Sequence, residues 1–281
     1  MRYGVSMFLT DYSVAPDELA RLLEERGFES LWAPEHTHIP ASRRSPWPGG
    51  PDLPKDYWHT YDPFVSLTAA AAATKQLKVA TGICLIVERD PITTAKEVAS
   101  LDRLSGGRFI FGIGGGWNAE EMEHHGTPFK LRWRILRERV LAMQQIWTQE
   151  EAEFHGKYVN FDKLWAHPKP LQRPYPPVIM GGDGPTTFDR VVEFCDGWMP
   201  ISVRLRKDQP LAERIAELRR RAGDAGRDPE AISVSIFGAR PERERIDELA
   251  RAGVDRVVFG LPSADKATVL PLLDTYAGLI G

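Results

Sequence analysis

Apolar positions along the chain fall into short runs that alternate with stretches of helical spacing. The opening run, 3–9, reads as a strand. The stretch 16–26 reads as a helix, with Pro16 in its first turn and Leu19, Leu22 and Leu23 recurring at helical intervals. Gly27 closes that helix, and 28–34 is a second apolar strand, so the chain opens with a β-α-β unit. The pattern continues as helix 63–74, strand 77–83, helix 92–104 and strand 108–113. Helices 120–125 and 132–148 follow, then a small strand or hairpin at 153–161. The second half reads as strand 177–182, helix 186–194, strand 197–201, helix 211–225, strand 232–237, helix 242–252, strand 256–261 and helix 266–279. Eight strands alternating with helices predict a (β/α)8 TIM barrel, with loop insertions at its C-terminal face. The rival is a doubly wound open sheet, which usually needs fewer strands. No strand-turn-helix here carries GxGxxG with an acid about 20 residues on.

Composition supports a globular chain and removes several classes of function. The 281 residues suit one barrel domain, 1–281. With 36 Lys and Arg against 39 Asp and Glu, the net charge of −3 gives no reason to expect nucleic acid or an anionic membrane as a partner. No apolar run reaches the roughly 18 residues of a membrane span, and the first ten residues are too short for a secretory signal. Cys84 and Cys195 lack CxxC or His spacing and read as buried thiols in a reducing compartment, so a cytoplasmic location is expected. The 24 Gly and 22 Pro are many for one compact domain, and their positions direct attention to the strand ends.

A long stretch without periodicity, 35–62, follows the second strand and carries Trp47, Tyr57, Trp58 and Tyr61. In a barrel it lies on the face where catalytic sites sit, and its aromatics suggest a lid over a ligand rather than a solvated excursion. The second strand runs into Glu35, His36 and His38. A rim histidine can hydrogen-bond a bound ring or move a proton. The alternatives are a polar loop start or a metal site, and no Cys or second HxH pair is available to complete a coordination shell. The fourth strand runs into Gly114, Gly115, Gly116 and Trp117. Glycines there either make a tight turn or let a planar ligand approach the backbone. Gly181, Gly182, Asp183 and Gly184 open a helix, where backbone N–H groups suit a phosphate; the alternative is capping by Asp183 or Thr186. The third strand ends in Thr81, Gly82 and Ile83 at the same mouth.

An ordered set of segments then carries a resemblance. It comprises Pro34-Glu35-His36, Ala80-Thr81-Gly82-Ile83, the run LDRLSGGR at 101–108, Gly112-Ile113-Gly114-Gly115-Gly116-Trp117 and Glu120-Glu121-Met122. LRER at 136–139, IWT at 146–148, FHG at 154–156, PKPLQ at 168–172, PPVIMGG at 176–182 and DGW at 196–198 complete it. Across about residues 1–260 the chain resembles the luciferase-like flavin and deazaflavin oxidoreductases, in particular the F420-dependent branch.

The resemblance implies a TIM barrel with the cofactor ring across its mouth. It also implies a peptide bulge after strand three, often a cis bond, falling here on Gly82–Ile83. The cofactor phosphate would sit on residues 181–184, and His36 beside the ring would assist proton transfer. The dehydrogenases of that branch carry an acid after the strand-four glycines, where this chain has Trp117; Glu35 and Glu120 are the candidate substitutes. Two reactions follow for a small organic substrate: hydride transfer with coenzyme F420, or oxygen chemistry with reduced FMN in a monooxygenase. A non-catalytic flavin-binding barrel is a third possibility. A basic rim of Arg43, Arg44, Arg204 and Arg206 would suit the acidic tail of F420. Family members are often homodimers, so a homodimer is the assembly the resemblance suggests.

Overall fold

The computed structural model describes residues 1–205 and 208–280. Eight parallel strands close into a barrel: β1 (Arg2–Ser6), β2 (Ser30–Ala33), β3 (Lys78–Thr81), β4 (Phe109–Ile113), β7 (Val178–Gly181), β8 (Gly197–Met199), β9 (Ser233–Phe237) and β10 (Arg256–Gly260). Neighbours in space are neighbours in that list, and β1 returns to pair with β10, Tyr3 lying opposite Val257. A two-stranded antiparallel ribbon, β5 (Ala152–His155) with β6 (Asn160–Leu164), stands outside the barrel, in the region expected to form a hairpin.

The helices are α1 (Pro16–Glu25), α2 (Asp56–His59), α3 (Pro63–Ala72), α4 (Pro91–Leu104), α5 (Ala119–His124), α6 (Arg132–Thr148), α7 (Thr187–Phe194), α8 (Leu211–Asp224), α9 (Arg243–Arg251) and α10 (Lys266–Ala277). Local chemistry sets their starts. Proline occupies the first turn of α1, α3 and α4. The carboxylates of Asp62, Asp90 and Asp265 accept the backbone N–H three residues on, at 3.0, 2.8 and 3.0 Å. Burial then holds them. In α6, Ile135, Leu136, Val140, Met143, Ile146 and Trp147 form one buried stripe against the barrel.

The first two strands are shorter than their apolar runs. β1 pairs only to Ser6, because β2 ends at Ala33 and Pro34 has no N–H to extend the ladder. The region 35–62, expected to be irregular, contains the single turn α2.

The barrel interior is a core of its own. Trp32, Ala80, Ile110, Ile179, Met199 and Val258 fill it, with Ile83 and Phe237 packed above. Trp32 is wholly buried and donates its Nε1–H to Ser30 Oγ at 2.8 Å. Gly4 makes the room for this pair, since an added Cβ would stand 2.6 Å from Ser30 Oγ and 2.9 Å from Trp32 Nε1. Where the strands begin, charge ties the barrel together. Arg256 grips Glu29 through Nε and Nη2 at 2.8 and 2.7 Å, and Lys78 reaches the same carboxylate at 3.2 Å. No helix among the described residues is long and apolar enough to cross a membrane.

Candidate functional site

The C-terminal ends of the strands surround a cavity of about 350 Å³. Its walls are aromatic and apolar: Phe8 after β1, Trp47, Pro48 and Tyr57 from the 35–62 region, Trp117 after β4, Trp133 on α6 and Phe237 on β9. Another cavity, of about 390 Å³, opens at the opposite end of the barrel. There Arg256 and Lys78 are taken up by Glu29 and Arg108 by backbone carbonyls, so that end serves stability rather than chemistry.

His36, Glu35, Gly82, Ile83, Gly114, Gly115, Gly116, Trp117, Gly181 and Gly182 all border the upper cavity. Thr81, Asp183 and Gly184 do not. Thr81 is buried between strands and donates its hydroxyl to the Gly112 carbonyl at 2.7 Å. The Gly82–Ile83 peptide bond is cis, at the position the resemblance implied.

The glycines are explained by what packs on them. A Cβ on Gly114 or Gly181 would stand 2.7 or 2.8 Å from the Ile83 side chain, and one on Gly115 would stand 2.7 Å from the Trp133 ring. They therefore let Ile83 and Trp133 close down on the strand ends. Gly182 differs. Its φ is +115° and an added Cβ would meet no atom within 4 Å, so its backbone borders open space in the cavity wall.

His36 is the polar centre of the site. Its Nδ1 lies 2.7 Å from Oε2 of the fully buried Glu121, whose Oε1 accepts the Thr37 N–H at 3.0 Å. Nε2 has no partner among the described residues, which leaves it as the nitrogen available to the cavity. Tyr57 and Trp117 flank the ring at centroid distances of 5.1 and 5.7 Å. Burial pushes the Tyr57 hydroxyl above its ordinary pKa, so it remains a neutral phenol across the physiological range.

Neither substitute acid is free. Glu35 accepts from Arg89 Nε and from the Leu85 N–H, both at 2.6 Å, and Arg89 also binds Asp62 and Glu97. Glu120 turns away from the cavity. It accepts from the Ser42 hydroxyl and from the backbone N–H groups of Arg44 and Ser45, which staples the 35–62 region to α5. Burial alone would raise the Glu120 carboxyl, but these donors outweigh it and hold it down at about 2.

The 181–184 turn is braced by its own groups. Gly184 N–H donates to Thr187 Oγ1 at 3.0 Å, and Thr186 holds the N-cap position of α7 without a capping hydrogen bond from its side chain. The Asp183 carboxylate instead forms a bidentate pair with the buried Arg214, whose guanidinium lies 4.8 Å from the Trp198 ring centroid. Of the candidate rim arginines, Arg204 borders the cavity, Arg44 pairs with Glu120 and Glu123, and Arg43 lies outside the cavity lining. Arg206 lies outside the described residues. No group of three His, Cys, Asp or Glu among the described residues is arranged to hold a metal ion.

Glu121, Arg89 and Arg214 received no role from the sequence. Asn118 and Glu121 carried one signal: they have the N-cap-x-x-Glu spacing of a helix start, which places Glu121 in the first turn of α5 beside the barrel mouth.

Residues 16–270 match the family model of the luciferase-like monooxygenases, and the chain belongs to that family. It is 41% identical over 275 residues to an uncharacterized protein of Mycobacterium tuberculosis, with 95% of each chain covered. It is 27% identical over 235 residues to the F420-dependent hydroxymycolic acid dehydrogenase of the same organism, covering 82% of this chain and 60% of that one. The crystal structure of the monooxygenase RslO1 from Streptomyces bottropensis superposes with a TM-score of 0.80 at 19% identity. That alignment covers 100% of this chain and 98% of the other, and shows a shared fold.

Proposed function

We propose that this single-domain barrel is an oxidoreductase that transfers a hydride between coenzyme F420 and a small organic substrate. The observation that carries the reading is His36, anchored through Nδ1 to a buried carboxylate and presenting Nε2 to an aromatic-walled cavity. The residues suit a flat, partly apolar ring: Ile83 and Gly114–Gly116 form one wall, and Gly182 leaves open space where a side chain would otherwise stand. Backbone groups of residues 181–182 would face the phosphate end, and Arg204, which makes no ion pair among the described residues, would meet the acidic tail.

When bound, F420 supplies the carbon that accepts or gives a hydride. The chain's own residues do the rest. Trp47, Pro48, Tyr57 and Trp117 exclude water from the reacting groups. The Glu121 carboxylate fixes the Nδ1–H tautomer of His36, so that Nε2 is positioned to give or take the substrate's proton. The similarity to the F420-dependent dehydrogenase supports the choice of cofactor.

A second reading, an FMN-dependent monooxygenase, is favoured by Trp117, which stands where the dehydrogenases of the resembling branch carry an acid. Titrating the protein with F420 and with FMN, followed by fluorescence, separates the two. Tight binding of FMN with none of F420 overturns the first reading. Binding of neither points to a non-catalytic barrel.

A further inference from the structure

We propose that Glu88 is a protonated carboxyl behind the His36–Glu121 pair, a positioning residue that donates a hydrogen bond to Glu121 and so keeps Glu121 aligned on His36. The proposal starts from two orphaned atoms. Glu88 ends the 3-10 turn Ile86–Glu88, is more than nine-tenths buried, and neither carboxyl oxygen has a donor among the described residues. That turn packs against α5, the helix that carries the fully buried Glu121, and Glu121 is the first of the charged groups acting on the Glu88 carboxyl. Two ionised carboxylates buried together are both acceptors and repel; one proton between them removes the repulsion and supplies the donor for an O–H···O bond. The proton belongs on Glu88, because Glu121 already receives the Thr37 N–H and faces His36 Nδ1.

No cation nearby removes the need for that proton. The charged groups facing Glu88 are Glu121, Glu35, Arg89 and Arg139. Arg89 donates to Glu35, Asp62 and Glu97, and Arg139 Nη1 donates to the Ile86 carbonyl at 2.7 Å. Neither makes an ion pair with Glu88 among the described residues. Burial first, then the charges of Glu121 and Glu35, push the Glu88 carboxyl up to about 10. The arrangement is an acid, a carboxylate and an imidazole in series, ending at Nε2 in the cavity. It extends the reading of His36 as a proton-handling residue, but its test needs neither cofactor nor substrate.

Infrared difference spectroscopy on the cofactor-free protein reads the proton directly. At pH 7 wild type should show the carbonyl band of a protonated carboxylic acid, shifting in deuterium oxide and fading as pH rises through about 10. Glu88→Gln should lose that band. A wild-type spectrum without it, or a band that survives in Glu88→Gln, overturns the assignment.

Nitrogen-15 NMR of His36 reads the positioning. Glu88→Gln should keep the Nδ1–H tautomer, since an amide N–H can replace the acid as donor. Glu88→Leu, which removes the donor, should shift both ring-nitrogen signals. Unchanged His36 signals in a folded Glu88→Leu protein would refute the positioning role. If Glu88→Leu does not fold, the comparison of Glu88→Gln with wild type still decides: a lost Nδ1–H tautomer there contradicts the proposal. Failure of F420 to bind leaves both measurements intact, so the two proposals fail separately.

Discussion

His36 Nδ1 and Glu121 Oε2 stand 2.7 Å apart although 85 positions separate the residues along the chain. The end of β2 supplies one partner and the first turn of α5 the other, so the pair forms only when the barrel closes. With Nδ1 committed to Glu121, the imidazole presents a fixed Nε2 to the cavity. His36→Ala should lower kcat by about 100-fold or more, the usual contribution of a positioned acid-base group. Glu121→Gln should lower it by less, with cofactor affinity nearly unchanged in both. Steady-state kinetics beside fluorescence titration check this. Turnover and affinity that both match wild type in His36→Ala would remove the histidine from the mechanism.

Gly112 lies in β4, where an added Cβ would stand 2.1 Å from the Thr81 carbonyl oxygen. The obstacle is backbone of the adjacent strand, which cannot rotate aside as a side chain would. Gly112→Ala should therefore cost about 3 kcal/mol or more in stability. At Gly184 the nearest atom is Thr187 Oγ1 at 3.7 Å, and Gly184→Ala should change stability by less than about 1 kcal/mol. Urea unfolding of the two variants tests the contrast. Equal midpoints would mean that β3 and β4 adjust freely, contrary to their packing.

These two cases mark how far the sequence could be read. Every barrel strand is a short apolar run bounded by helical spacing, so the eight strands around Tyr3, Ser30, Lys78, Phe109, Val178, Trp198, Ser233 and Val257 were legible from periodicity. Closure places their C-terminal ends on one face, which made Gly82, Gly114–Gly116 and Gly181–Gly182 legible as a group. The partners of charged residues were not. Arg214 and Glu121 sit among polar neighbours on helices, and Arg89 in a charged loop between an apolar run and α4, where a buried charge and a solvated one look alike. Glu35 borders the cavity and Glu120 stands on α5, yet their carboxylates go to Arg89 and to the 35–62 backbone. Only packing between distant segments decides that.

Glu29 predicts how the fold answers to acid. Burial would raise its carboxyl, but the bidentate Arg256 outweighs this and brings it from the ordinary 4.5 down to about 2. A depressed carboxyl means that the unfolded chain binds more protons between those values. The stabilisation is present above pH 4.5 and is lost as pH falls toward about 2, at about 1.4 kcal/mol per pH unit for this one group. Arg256→Met should cost about 3 kcal/mol at neutral pH, because it removes the bidentate partner of a largely buried carboxylate and leaves Lys78 as its remaining ion-pair partner. It should also flatten the acid limb. Thermal unfolding from pH 2 to 7 tests both, and an acid limb as steep in Arg256→Met as in wild type would assign it to other groups.

Glu88 predicts the opposite dependence. Its carboxyl is raised in the fold to about 10 from an ordinary 4.5, through burial and then the neighbouring carboxylates. Between those values the folded protein holds a proton that the unfolded chain has released. Stability attributable to this group is therefore full below about pH 4.5 and declines as pH rises toward about 10, by about 1.4 kcal/mol per pH unit. Glu88→Gln keeps the shape and a donor for Glu121 but has no proton to lose. The variant should match wild type near pH 4 and exceed it by a growing margin from pH 6 to 9. Guanidinium unfolding at several pH values measures the difference. A constant offset between the two proteins across that range would show that Glu88 is ionised in the native state.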